Sequence, residues 1–134
     1  MSNGRRGVRL PTTGEQIRRI ITQDDPKLLV EQAEEIGKAL SDSLTKSQIR
    51  NIFGTVRRIQ MAWTGEAQTA AAYRQLLMLK PKIRYQAART VEVKPLAEVL
   101  DGAIDHVGDD LTRFGRFVDF FEAILAYHTA HGGK

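Results

Sequence analysis

Cysteine is absent from the 134 residues. That absence excludes a disulfide scaffold, a thiolate metal site and a cysteine nucleophile together, and it fits a reducing compartment, so a cytoplasmic location is expected. Long apolar runs are missing as well. No stretch approaches the ~20 residues of a membrane span, and the opening MSNGRRGVRLPTTGEQ lacks the apolar centre of a signal peptide. No membrane partner is expected. Proline is scarce, at 4 residues, and the β-branched run Val91 to Val93 is too short for a sheet and has no second strand to pair with. Catalytic signatures are lacking too: there is no HExxH, GxSxG, paired-carboxylate pocket motif or phosphate-cradling glycine loop. The chain therefore reads as no enzyme, with no cofactor, no metal and no small-molecule substrate.

What is present points to one helical core. Apolar residues make up 42% and charged residues 27%, a globular balance, and the length matches one domain. Residues 1–14, rich in Gly, Thr, Asn and Arg without apolar period, read as a flexible basic arm, leaving 15–134 as a single helical-bundle domain. A short helical stretch is expected near Glu15, where Ile17, Ile20 and Ile21 have helical spacing. Asp24, Asp25 and Pro26 signal the start of an acidic amphipathic helix running to about Leu40. Thr45 with Gln48 forms a capping box, and Leu44 with Ile49 a hydrophobic staple, so the next helix runs from Thr45 to about Trp63. An alanine-rich helix follows from Glu66. Pro81 predicts a kink or break between Met78 and Lys82 before the helix resumes to about Arg89. Pro95 opens an acidic helix ending near Gly108, and a closing helix spans about Asp110 to Ala130. The class is all-α, a compact bundle of about five principal helices.

Charge is segregated along this bundle. Residues 45–63 hold four basic residues and no acid, and residues 64–90 hold five against one, whereas 24–44 and 91–110 are each strongly acidic. Within the helix from Thr45, about 100° separates successive residues, which puts Lys46, Arg50 and Arg57 within roughly 40° of one another. Ile49, Ile52, Val56, Ile59 and Trp63 fall on a separate arc of roughly 80°, the core face, so the basic stripe faces solvent. Arg58 lies to one side. The second basic set is Lys80, Lys82, Arg84 and Arg89. Like charges without i,i+4 acidic partners repel one another unless an anion binds, and the exposed residues are phosphate binders with no evident base-reading arrangement. These eight residues are the candidate nucleic-acid-binding set, directed at the backbone.

Two other readings compete. The basic blocks can dock instead on the acidic helices, within one copy or between copies, as a protein-interaction module with incidental nucleic-acid contact. A metal hydrolase built on His128 and His131 is the third. His128, however, projects from the apolar arc of Phe114, Phe117, Val118, Phe121, Ile124 and Leu125, which marks a core or interface histidine, and two histidines need further ligands.

LTKSQIRNIFGTVRRI at 44–59, LLMLKPKIRYQAAR at 76–89 and FVDFFEAILAYHTAHGGK at 117–134 together resemble the small subunit of type III-A CRISPR effector (Csm) complexes. The likeness extends from about Leu28 onward and leaves the arm before Gly14 outside it. It implies a non-catalytic subunit of an antiviral RNA-guided complex, stacked with further copies of itself beside other Csm subunits. Its implied nucleic-acid partners are the CRISPR RNA and the target RNA, touched through basic surface residues. Specificity in such machines resides in base pairing, so backbone contact without sequence readout suffices.

Overall fold

Two capping boxes start helices in this chain. Thr13 accepts from the Gln16 backbone N–H at 3.2 Å while its own N–H donates to Gln16 Oε1 at 2.9 Å, and Thr45 and Gln48 repeat the exchange at 3.1 and 2.8 Å. Each box satisfies donors that a helix start otherwise leaves unpaired. The computed structural model describes Leu10 and residues 12–133, and among these it contains six α-helices, two 3-10 turns and no strand. The helices are α1 (Gly14–Thr22), α2 (Pro26–Leu40), α3 (Lys46–Ala62), α4 (Thr69–Arg89), α5 (Lys94–Val107) and α6 (Leu111–Ala130). Turns at Glu66–Gln68 and Val91–Val93 lead into α4 and α5. Five of these are the principal helices of the sequence pattern, and α1 is the short stretch expected near Glu15.

Side-chain caps open four of the six α-helices. Asp25 accepts from the Leu28 N–H and Asp110 from the Arg113 N–H, and Pro26 occupies the first turn of α2, where its missing N–H costs nothing. Asp24 takes a left-handed φ of 50° in the turn between α1 and α2, a conformation that aspartate tolerates better than most residues. Arg116 of α6 holds this corner by donating to the Ile21 carbonyl at 3.1 Å.

The break expected at Pro81 does not occur. α4 continues through Pro81 to Arg89. Proline removes the hydrogen bond to the carbonyl of Leu77 and crowds it, but both residues lie on the exposed side of the helix, where the carbonyl can tilt outward and be solvated. The arm expected over 1–14 lies largely outside the described residues. Of the remainder, Leu10 packs against the core, Thr12 donates to Gln32 of α2 at 2.7 Å, and Thr13 caps α1.

The core is organised around α6. Phe114, Phe117, Phe120 and Phe121 are all buried. The rings of Phe114, Phe117 and Phe121 join a chain of aromatic contacts from Trp63 (5.1 Å to Phe114) to Phe53 (5.1 Å to Phe121, edge-on). Such offset and edge-on pairs add to the stabilisation from burial alone. α2 crosses α6 at Gly37, where a Cβ atom would lie 2.8 Å from the His128 backbone nitrogen and from the Ile124 carbonyl oxygen. Only a glycine lets the backbones approach this closely.

The close crossing predicts opposite outcomes for two glycines. Gly37→Ala overpacks against backbone that cannot move aside, and should cost about 1–3 kcal/mol. Gly54→Ala, in α3, places its methyl in open space, and should be neutral or stabilising by up to about 1 kcal/mol through helix propensity. Denaturant unfolding of both variants checks the contrast.

Candidate nucleic-acid interface

The buried side of α3 presents Ile49, Ile52, Val56 and Ile59 to the core, with Trp63 buried at its end. The stripe lies where the 100° rule puts it: Arg50 and Arg57 are exposed and Lys46 is half-buried. Phe53 sits between stripe and core, half-buried against Phe121, and the Arg57 guanidinium lies 6.0 Å from the Phe53 ring centroid. Cation and ring face attract at this range, so the aromatic helps to orient Arg57. Arg58 leaves α3 on the other side, donating to Thr55 Oγ1 at 3.2 Å. Among the described residues, none of these four cations forms an ion pair.

The second basic set is divided between two neighbours. Lys80 and Arg84 face α5. The Lys80 ammonium donates to Asp105 and lies 3.6 Å from Asp101, and Arg84 reaches Asp101 at 3.7 Å. The hydrogen bond to Asp105 raises the Lys80 pKa above its usual 10.5, outweighing partial burial, which acts the other way. Lys82 and Arg89 face α3 instead. They line an open cleft of about 480 Å³ together with Gln48, Asn51 and Thr55. Arg89 also lies over the ring of Tyr85, 5.7 Å from its centroid, with Nη1 donating to the phenol oxygen at 3.3 Å.

Among the described residues, Lys80 and Arg84 are the members of the eight-residue candidate set that dock on an acidic helix. The acidic helix α2 packs on α6, and its Glu31, Glu34 and Glu35 stay exposed. No ion pair joins α2 to α3 or α4 among the described residues. Lys46, Arg50 and Arg57 form one stripe on α3, and Lys82 and Arg89 stand together in the α3–α4 cleft, with Arg58 bound to its lining residue Thr55.

Reasoning from charge alone passed over the uncharged members of that second group. Asn51, Thr55 and Arg58 recur at i, i+4 and i+7, and so do Lys82, Gln86 and Arg89. These two polar lines at helical spacing were the signal for facing walls.

Two of the three histidines, His128 and His131, have structural neighbours on one ring nitrogen. His128 is fully buried, and its Nε2–H donates to the Leu44 carbonyl, tying the end of α6 to the start of α3. His131 Nε2 lies 3.5 Å from Glu34. No group of three or more potential metal ligands occurs among the described residues, and no described helix is long and apolar enough to cross a membrane.

An all-α bundle that pairs some of its cations internally and, among the described residues, leaves others unpaired on α3 and in the α3–α4 cleft is the class defined by fold and site. A family model described as Csm2 Type III-A matches residues 23–134. The chain belongs to that family, the small structural subunit of type III-A CRISPR effector (Csm) complexes. Comparison with curated proteins and with solved structures finds no match.

The Lys80 cluster carries a pH signature. A lysine whose pKa rises on folding stabilises the native state fully below its unfolded value and loses that contribution as pH climbs through the folded one. Asp105→Asn should therefore cost up to about 1 kcal/mol at neutral pH, as for a largely exposed pair. The gap to the parent should close only in alkali, above 10.5. Urea unfolding of both proteins across that range is the check.

Proposed function

We propose that the chain is a non-catalytic, RNA-binding subunit that grips the sugar–phosphate backbone of guide and target RNA without reading sequence. The observation that carries the reading is the set of cations on α3, exposed at Arg50, Arg57 and Arg58, that find no carboxylate among the described residues. A protein that pairs Lys80 and Arg84 with its own aspartates yet leaves neighbouring arginines uncompensated tolerates repulsion that a polyanion relieves. Lys82 and Arg89 extend the cationic surface along the cleft. Lys80 and Arg84, drawn toward α5, contribute less than the other six candidates. Base pairing between guide and target supplies specificity in an RNA-guided complex, so phosphate contacts that position the strand complete the task. Its setting is the cytoplasm, alongside other Csm subunits and further copies of the chain.

A second reading, a protein-interaction module, draws support from the outer side of α4, where Leu77 and Met78 are exposed. In that reading the cations of α3 meet acidic faces of like copies or other subunits, and RNA contact is incidental.

Charge reversal separates them. Arg50→Glu combined with Arg57→Glu opens no cavity, and its stability should stay within about half a kcal/mol of the parent. Single-stranded RNA binding should weaken at least tenfold, and the log–log salt slope should become shallower by about 1.4, roughly 0.7 for each of two phosphates that are no longer neutralised. Val56→Glu, on the buried side of α3, should instead unfold the protein by burying an unpaired charge. Parental RNA affinity in the double mutant at matched salt would transfer the lead to the interaction-module reading.

A further inference from the structure

Two sizeable clefts flank α4, and they differ in charge. The one toward α5 is lined by Glu98 and Asp101 as well as by Arg84 and Lys94, so its carboxylates repel a phosphate chain. The cleft toward α3 has no carboxylate among its lining residues. Its volume, about 480 Å³, falls inside the ~300–1,000 Å³ typical of sites for small organic groups.

We propose that this α3–α4 cleft receives an unstacked base of single-stranded RNA, an inference that rests on the RNA-binding reading and adds a base contact to it. The floor is apolar, formed by Ile52, Ile83 and Val93, and suits the face of an aromatic ring. The walls carry side-chain amides, Asn51 from α3 and Gln86 from α4. Among the described residues neither amide group is engaged in a side-chain hydrogen bond. An amide both donates and accepts, so it meets the polar edge of any base without demanding one. Cations line the cleft on the α4 side, Lys82 and Arg89, and on the α3 side Arg58, outside the lining, donates to the cleft residue Thr55. They lie where the phosphates flanking an inserted base would pass.

Tyr85 completes the set. It lines the same cleft with 62% of its surface exposed, an unusual position for an aromatic residue that the core does not need. Arg89 over its ring prolongs the stacking surface. An aromatic beside an acid-free cationic groove is the arrangement by which sequence-tolerant single-strand binders hold bases. A duplex keeps its bases stacked and cannot fill the cleft, so single strands are the preferred form.

The experiment compares two probes of equal length and equal phosphate number, an oligouridylate and its abasic counterpart, on the full chain. The parent should bind the base-bearing strand about tenfold more tightly, in line with one aromatic–base stack, with the same salt slope for both probes. Tyr85→Ala, and Gln86→Trp, which fills the cleft from an exposed position, should abolish the preference, whereas Tyr85→Phe should keep it. Equal affinity of the parent for both probes, or an undiminished preference in Tyr85→Ala and Gln86→Trp, overturns base insertion while leaving backbone binding intact. A parent that binds neither probe at low salt overturns the backbone reading together with the cleft.

Discussion

Everything in this structure rests on the burial of α6. Its four phenylalanines point into the core, and α1, α2, α3 and α5 all pack against it. Because α2 approaches to backbone contact at Gly37, the two helices lock at one depth and one register. His128 extends the lock by donating to the carbonyl of Leu44, just before the Thr45 cap of α3. The Phe53–Phe121 contact then fixes the rotation of α3 on its support. The direction in which Arg50 and Arg57 point is thus a consequence of core packing: a helix held by Ile49, Ile52, Val56 and Ile59 has one remaining side, and the arginines occupy it.

The same logic sorts the charges of α4. Ile83 and Leu79 face inward, which leaves Lys80 and Arg84 on the α5 flank and Lys82 and Arg89 on the α3 flank. Residues adjacent in sequence therefore have different roles. The pairs to Asp101 and Asp105 tie α4 to α5 and remove two cations from the surface potential. Among the cations that remain unpaired in the described residues, Lys46, Arg50, Arg57 and Arg58 lie on α3 and Lys82 and Arg89 on the α4 flank that faces it. A field focused in this way attracts a polyanion more effectively than the same net charge spread evenly.

Much of the fold was legible because local signals agreed. The Thr45 capping box, the Asp25–Pro26 start and apolar periodicity placed α2, α3, α5 and α6 to within a residue or two, and the apolar arc of α3 matched its buried side. α4 begins at Thr69, after a 3-10 turn at Glu66–Gln68, and the Thr13 box that starts α1 lay in the stretch read as an arm. The exception at Pro81 has a clear cause: a proline's cost depends on whether water reaches the carbonyl it strands, and exposure is a tertiary property. The site was legible only in part. Eight basic residues were identifiable by type, but which of them meet aspartates depends on the rotation of α4 against α5. The cleft depends on two helices lying side by side, although each wall was already written as residues at i, i+4 and i+7. Tyr85 carries no charge to mark it, and its exposure is a tertiary property that helical spacing does not show.

The central claim is that RNA lies along α3 and the cleft-facing side of α4. Photocrosslinking of bound single-stranded RNA, with peptide mapping of the adducts, tests it most directly. The account predicts adducts in the peptides covering 46–58 and 82–89, with Tyr85 itself among the crosslinked residues, and none in the acidic helix α2 or in α5. Adducts concentrated in α2 or α5, with residues 46–58 unmarked, would contradict it.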